Sequence, residues 1–190
     1  MTDAPRCYFG FRSPFSRLGL HVLRRAGVQP DLHPFRRAAN GGPFLNPTDN
    51  PAKRAYYRAD AVRMTRRMGL PFALPKPFEI DFAPANHVFI HAKAAGVALE
   101  FAIAASDARW GEGRDISQPA VLADCLEVAG CDRALADIPA DDPAALEGLA
   151  AADAAVDADN VFGVPFLVAG GEPFWGHDRF ALFVETHANA

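Results

Sequence analysis

The first 35 residues contain a strand, a helix and a second strand, and this order constrains the fold more than any other feature. Residues 7–11 (CYFGF) are short, apolar and aromatic, as buried strands are. Ser13 and Pro14 then form a helix start, because serine is a preferred N-cap and proline fits the first helical position. We expect this helix to end at Gly27, and residues 31–35 (DLHPF) to form the next strand. A connection of this kind joins parallel strands.

The C-terminal end predicts a β-hairpin followed by a helix. Residues 161–168 (VFGVPFLV) have β-type composition, Gly170-Gly171 is a hairpin turn signal, and 172–175 is the returning strand. The helix FALFVETH follows. Pro165 inside the apolar run requires either an edge position or a cis peptide bond, and the sequence leaves both open.

The middle of the chain is predicted to be helical. Residues 38–51 form a long loop and 70–85 are proline-rich and irregular. The predicted helices are 51–68, 86–106, 117–129 with Ser117 as N-cap, and 143–158.

This order of elements predicts an α/β fold with a single mixed sheet, helices on its faces and a helical insertion at one edge. We place the insertion at residues 46–157, and the sheet domain discontinuously at 1–45 and 158–190.

Composition argues against several functions and locations. The formal net charge is −4, which does not suit nucleic acid or an anionic membrane as partner. No apolar run reaches the roughly 18 residues of a membrane span, and the start of the chain shows no signal-peptide pattern. Cys7, Cys125 and Cys131 form no C-x-x-C, so we expect a reducing compartment, the cytoplasm.

Two positions are candidates for binding an anion and an extended peptide. Ser13 lies where free N–H groups and the helix dipole favour a negative charge, although on spacing alone an ordinary N-cap is the preferred interpretation. A cis bond at Val164–Pro165 would present the Val164 backbone for pairing with a peptide, whereas an edge-strand proline would have no such role. Asp178 either caps the last helix or binds an amino group.

The remaining polar candidates lie on helices. Lys53 and Tyr57 share one face of the second helix, and Lys53 follows directly on the long loop, where it is suited to holding a carboxylate. His87 and His91 have the spacing of metal ligands, but no third ligand is evident. A packed pair is therefore the preferred interpretation, and we expect neither a metal nor a nucleotide.

Several segments, in this order, resemble the 2-hydroxychromene-2-carboxylate isomerases and kappa-class glutathione transferases. CYFGFRSPFSRLGLHVL resembles their opening strand and x-S-P-[YF]-[SA] helix start, and NPAKRAYYRADAVRMTRRMGLP resembles their P-x-K-x-x-Y helix. A D-I-S stands at Asp115, NVFGVPFLV resembles their G-V-x-G-V-P strand, and FWGHDRFALF resembles their F-[WG]-[GS]-x-D-R motif.

The resemblance implies a thioredoxin-like, DsbA-like fold with an all-helical insertion, a glutathione cofactor and a homodimer. It also implies that Ser13 contacts the glutathione sulfur. The positions that match glutathione-binding residues of the family are Asn46, Lys53, Val164, Pro165, His177 and Asp178.

The start of the first helix carries no cysteine, so the thiol must come from a ligand, since disulfide exchange needs an attacking and a resolving thiol. The implied reaction is isomerisation of a 2-hydroxychromene-2-carboxylate-type aromatic substrate, with the glutathione thiolate adding reversibly near Ser13. Conjugation of a small electrophile needs nearly the same residues. Arg17, Phe166 and His177 depart from the family pattern, and crowding by Arg17 and Phe166 would instead favour a binding protein without turnover.

Overall fold

The computed structural model describes residues 4–42 and 49–187, and these residues contain a four-stranded mixed sheet in the order β2-β1-β3-β4. β1 pairs in parallel with β2, with Arg6 opposite Asp31, and antiparallel with β3, with Arg6 opposite Val168. The predicted parallel pair and α/β class are confirmed. The strands are β1 Arg6–Phe9, β2 Asp31–Pro34, β3 Phe166–Ala169 and β4 Glu172–Trp175.

The helices that the structure describes follow the predicted order. Short 3-10 turns lie at Ala39–Gly41 and Arg133–Asp137. The α-helices are α1 Pro14–Arg25, α2 Pro51–Arg67, α3 Ala83–Ala94, α4 Ala98–Trp110, α5 Pro119–Val128, α6 Pro143–Ala158 and α7 His177–His187.

The two faces of the sheet pack against different helices, because alternate strand residues point to opposite sides. Cys7 and Phe9 of β1 join the larger core with buried residues of α1, α3, α4, α5 and α7. Tyr8, between them, packs on the other face with Phe166 and with Val156 of α6. α6 thus covers one face of the sheet, although all of it except Ala158 lies inside the segment 46–157 that we assigned to the helical insertion.

Two helix predictions are wrong in detail. The predicted helix 86–106 is two helices, because the chain turns at Gly96, whose φ of +80° is a left-handed conformation that glycine adopts readily. The N-cap of α5 is Gln118 rather than Ser117. The Ser117 hydroxyl instead donates to Asp115 at 2.7 Å.

The predicted strand 161–168 is shorter in the structure, where β3 begins only after Pro165. Val161 is held outside the sheet, since its N–H donates to the Val156 carbonyl and its own carbonyl accepts from Ala39 N–H. The hairpin through Gly170 and Gly171 is confirmed. Within the described ranges, no helix is both long and apolar enough to cross a bilayer.

Candidate active site

The loop between β1 and α1 places Ser13 at the start of α1. Ser13 is the N-cap of the helix, and its Oγ accepts a hydrogen bond from Ser16 N–H at 3.1 Å. Its own N–H donates to the Gly10 carbonyl at 2.9 Å, while Gly10 N–H donates to Ser16 Oγ at 3.2 Å. Among residues 4–42 and 49–187, neither the Ser13 hydroxyl proton nor Phe15 N–H has an acceptor. Two donors at a positive helix end are therefore available to an anion.

The Val164–Pro165 segment lies beside this helix start, and its peptide bond is cis, which is one of the two alternatives that the sequence left open. Gly10, in the loop before α1, lies next to this segment, because a Cβ built on Gly10 would lie 3.5 Å from Val164 Cγ2. Pro165 packs against α1 at Gly19, where a Cβ would lie 3.3 Å from Pro165 Cβ. The Val164 N–H and carbonyl make no hydrogen bond to any described residue. This open backbone is what an extended peptide requires for pairing.

His177 and an aromatic pair form the neighbouring wall. The His177 ring stacks on Phe15 with centroids 5.3 Å apart, and Phe15 meets Tyr57 of α2 edge-on at 5.6 Å. Gly176, directly before His177, is joined to the cis-proline segment, because its N–H donates to the Pro165 carbonyl at 2.9 Å. The structure thus joins the starts of α1 and α7 with one face of α2.

His177 carries an unused ring nitrogen. Its Nε2 is buried and has no hydrogen-bond partner within the described part of the chain. Burial lowers the pKa of His177 below its ordinary value, although the charges of Asp178 and Asp60 act in the opposite direction. A neutral imidazole with a free nitrogen is consistent with a position that receives a ligand.

The other predicted site residues lie around this cluster at the surface. Lys53 is exposed one turn before Tyr57 and pairs with no carboxylate in the segments the structure covers. Asp178 lies in the first turn of α7, and its exposed carboxylate forms an ion pair with the adjacent Arg179 at 3.1 Å. Asn46 lies outside the described residues.

Arg17 and Phe166 are held by contacts outside this cluster. Arg17 is 1% exposed and donates to Asp107 of α4 at 2.6 Å and to the Pro71 carbonyl at 2.8 Å. Phe166 packs with Tyr8 on the sheet face opposite α1. The expectation that these two side chains crowd the site therefore finds no support in the structure.

Sequence reasoning missed Gly10 and Phe15 as site residues. The carbonyl of Gly10 accepts from Ser13 N–H, and Gly10 lies next to the Val164 side chain. Phe15 connects His177 to Tyr57. The signal for Phe15 was present, as an aromatic residue directly after the Ser-Pro helix start, but its partners are more than 40 residues away.

We expect acid to destabilise the fold partly through His177. Its pKa in the folded state lies below the ordinary value of 6.5, so its contribution to stability is complete above pH 6.5 and is lost as the pH falls below that value. Urea unfolding between neutral pH and about pH 5 should therefore show a smaller loss of stability in His177→Gln than in the wild type. An NMR titration midpoint of His177 at or above 6.5 would contradict this.

Comparison with known proteins supports one fold over the whole chain. A model of the DSBA-like thioredoxin domain matches residues 6–187. The 2-hydroxychromene-2-carboxylate isomerase of Pseudomonas putida is 29% identical over 185 residues, covering 92% of this chain and 89% of that protein. Its namesake from Sphingobium xenophagum is 29% identical over 198 residues, covering 98% of each. A solved 2-hydroxychromene-2-carboxylate isomerase superposes with a TM-score of 0.76 at 27% identity, over 97% of this chain and 94% of that one.

Proposed function

This chain belongs to the DsbA-like thioredoxin domain family, and on that premise we propose that it is a glutathione-dependent isomerase of 2-hydroxychromene-2-carboxylate or a closely related aromatic carboxylate. One observation carries the proposal. The open backbone of Val164 lies beside the two unused donors at the start of α1, in a chain whose α1 start has no cysteine. The names of the two relatives then favour isomerisation over conjugation as the reaction.

The residues present fit glutathione, which is an extended tripeptide with a thiol in its middle residue. The Val164 N–H and carbonyl would pair with its cysteinyl backbone, as in strand addition. The Ser13 hydroxyl and Phe15 N–H would donate to its sulfur and, with the helix dipole, favour the thiolate. When bound there, glutathione would supply a nucleophile that adds to the substrate and leaves again, with no net redox change.

The start of α7 fits the charged γ-glutamyl end. The N–H groups of His177 and Asp178 have no acceptor among the described residues, as is usual in the first turn of a helix, and a carboxylate is a suitable partner for them. The exposed carboxylate of Asp178 would pair with the amino group. The unpartnered Nε2 of His177 lies in the same turn.

α2 would provide the substrate side of the site. Phe15 and Tyr57 present aromatic surface next to Ser13, against which an aromatic substrate would pack. The Lys53 ammonium, one helical turn away and without an ion-pair partner in the described chain, would hold the substrate carboxylate. These residues orient the substrate over the sulfur, so that proximity contributes to the rate.

The experiment is an isomerisation assay on 2-hydroxychromene-2-carboxylate with and without reduced glutathione, combined with calorimetric titration of glutathione. We expect turnover only when glutathione is present, and binding about tenfold weaker in Asp178→Asn, because the charged contact is lost. Glu172→Gln, an exposed carboxylate on β4, is the matched control and should bind like the wild type.

The possible outcomes are distinct. Equal turnover without glutathione would remove the cofactor from the mechanism. Stable thioether products in place of an isomer would identify a transferase with the same site. Saturable binding without any product would indicate a binding protein.

Three free cysteines are consistent with the cytoplasmic location that we propose for this enzyme.

A further inference from the structure

A second cluster of chemically active side chains lies where α3 meets the start of α6. His87 and His91 stand one turn apart on α3, with ring centroids 5.0 Å apart. Asp142, the N-cap of α6, lies next to them, with Oδ2 3.7 Å from His91 Nε2. One ligand atom from each of the three side chains lies within 4.8 Å of the others.

Both histidines have a nitrogen without a partner. Nε2 of His87 and Nε2 of His91 are buried and make no hydrogen bond within the described residues. His87 as a whole is only 6% exposed, so water does not readily compensate for this. Two unsatisfied nitrogens beside a carboxylate are an unfavourable arrangement unless another group joins them.

The surrounding charge is suited to a cation. Asp141 stands next to Asp142, and the negative charges of both act on His87. Asp142 uses Oδ2 to cap Ala145 N–H at 3.0 Å, while its Oδ1 accepts no hydrogen bond from any residue described. The cluster is reachable from solvent, since the Asp142 side chain is 27% exposed.

Close helix packing holds the three groups in place. Gly148 of α6 approaches α3 so closely that a Cβ there would meet Ile90 Cγ2 at 2.5 Å. The contact lies between the same two helices that carry the cluster, with Ile90 directly before His91. The separation of the histidines from Asp142 is therefore set by packed backbone rather than by flexible loops.

We propose that His87, His91 and Asp142 bind a zinc ion that ties α3 to the N-terminus of α6. Two imidazole nitrogens and one carboxylate oxygen are ligands that Zn²⁺ accepts, in a tetrahedral site whose fourth position takes water. The ligand atoms lie within 4.8 Å of one another, so small movements of the side chains would bring each to the roughly 2.0–2.2 Å at which zinc is bound. The site is separate from Ser13 and the Val164 backbone, and it does not depend on the proposed isomerase activity.

The test uses tag-free protein treated with a chelator and then titrated with zinc chloride, followed by calorimetry and thermal unfolding. We expect one zinc ion per chain and a rise in the unfolding temperature as zinc is added. Asp142→Asn is the decisive variant, because asparagine also serves as an N-cap and the helix is retained. Its zinc affinity should fall at least tenfold while its stability without zinc stays close to that of the wild type.

The matched control is His187→Gln, which removes a histidine on α7, away from the α3–α6 junction. It should bind zinc like the wild type, whereas His91→Gln should lose the site. The proposal is overturned if all three variants bind zinc alike, or if the wild type takes up no zinc at a one-to-one ratio.

Discussion

Replacing Ser13 by glycine should lower kcat of the glutathione-dependent isomerisation by about a hundredfold, the usual effect of removing one hydrogen-bond donor from a developing or bound anion. The reason is that the Ser13 hydroxyl has no acceptor for its proton among the described residues and lies at the positive end of α1. Glycine is chosen because it is tolerated at an N-cap, so the stability of the fold should drop by only a few tenths of a kcal/mol. Initial rates and urea unfolding measure both effects.

Ser13→Ala separates the two roles of this side chain. Alanine cannot accept from Ser16 N–H, so this variant should lose about 1 kcal/mol of stability in addition to the same fall in kcat. If Ser13→Gly kept its kcat within about twofold of the wild type, the serine would be a helix cap and nothing more.

Replacing Asp107 by asparagine should destabilise the fold by about 3 kcal/mol, because it leaves the Arg17 cation buried without a counter-charge. Arg17 is 1% exposed, and Asp107 Oδ1 accepts both from Arg17 Nε at 2.6 Å and from His21 Nε2 at 2.9 Å. Arg17 Nη2 already lacks a partner among the described residues, so little compensation is available. Urea unfolding near neutral pH measures the loss.

The matched control for Asp107 is Glu79→Gln. The Arg12–Glu79 pair has a similar 3.0 Å contact, but its side chains are 55% and 63% exposed. Breaking this exposed pair should lower the free energy of unfolding by less than about 1 kcal/mol. Equal losses in the two variants would mean that burial does not set the strength of the Arg17 pair.

The ion pair between Arg17 and Asp107 should also make the stability of the fold depend on pH in the acid range. Burial alone would raise the pKa of Asp107, but hydrogen bonds and charges from His21 and Arg17 outweigh it and lower the pKa below 3.8. The stabilisation is therefore present above pH 3.8 and is lost as the pH falls below that value. The difference between wild type and Asp107→Asn should shrink over the same range.

The first βαβ unit and the closing hairpin could be predicted because their signals are local. The Ser13 cap, the apolar run after it and the Gly170-Gly171 turn each act within a few residues. The break between α3 and α4 was missed because a single Gly96 in an alanine-rich stretch is compatible with a continuous helix. The left-handed φ of Gly96 follows from how α3 and α4 each pack on the core.

The family resemblance gathered the predicted residues into one glutathione site, but the sequence did not show which side chains touch one another there. Ser13, Val164 and Lys53 were named both from their local sequence and from the family resemblance, and the glutathione contact of His177 came from the resemblance alone. Phe15, which connects His177 to Tyr57, was not named, and Asp142 was not connected with His87 and His91. No local pattern relates a residue to a partner 50 or more positions away.

The sequence by itself determined the α/β class, the order of the elements, the cap at Ser13 and the absence of a cysteine at the start of α1. Only the tertiary structure decided which of these features meet. Pairing of β1 with β3 brings residues 6–8 against 166–168, and this carries Val164 to Gly10 and the start of α7 to Phe15. The physical reason is that backbone hydrogen bonding and burial of the sheet faces set this register, and both depend on contacts between distant parts of the chain.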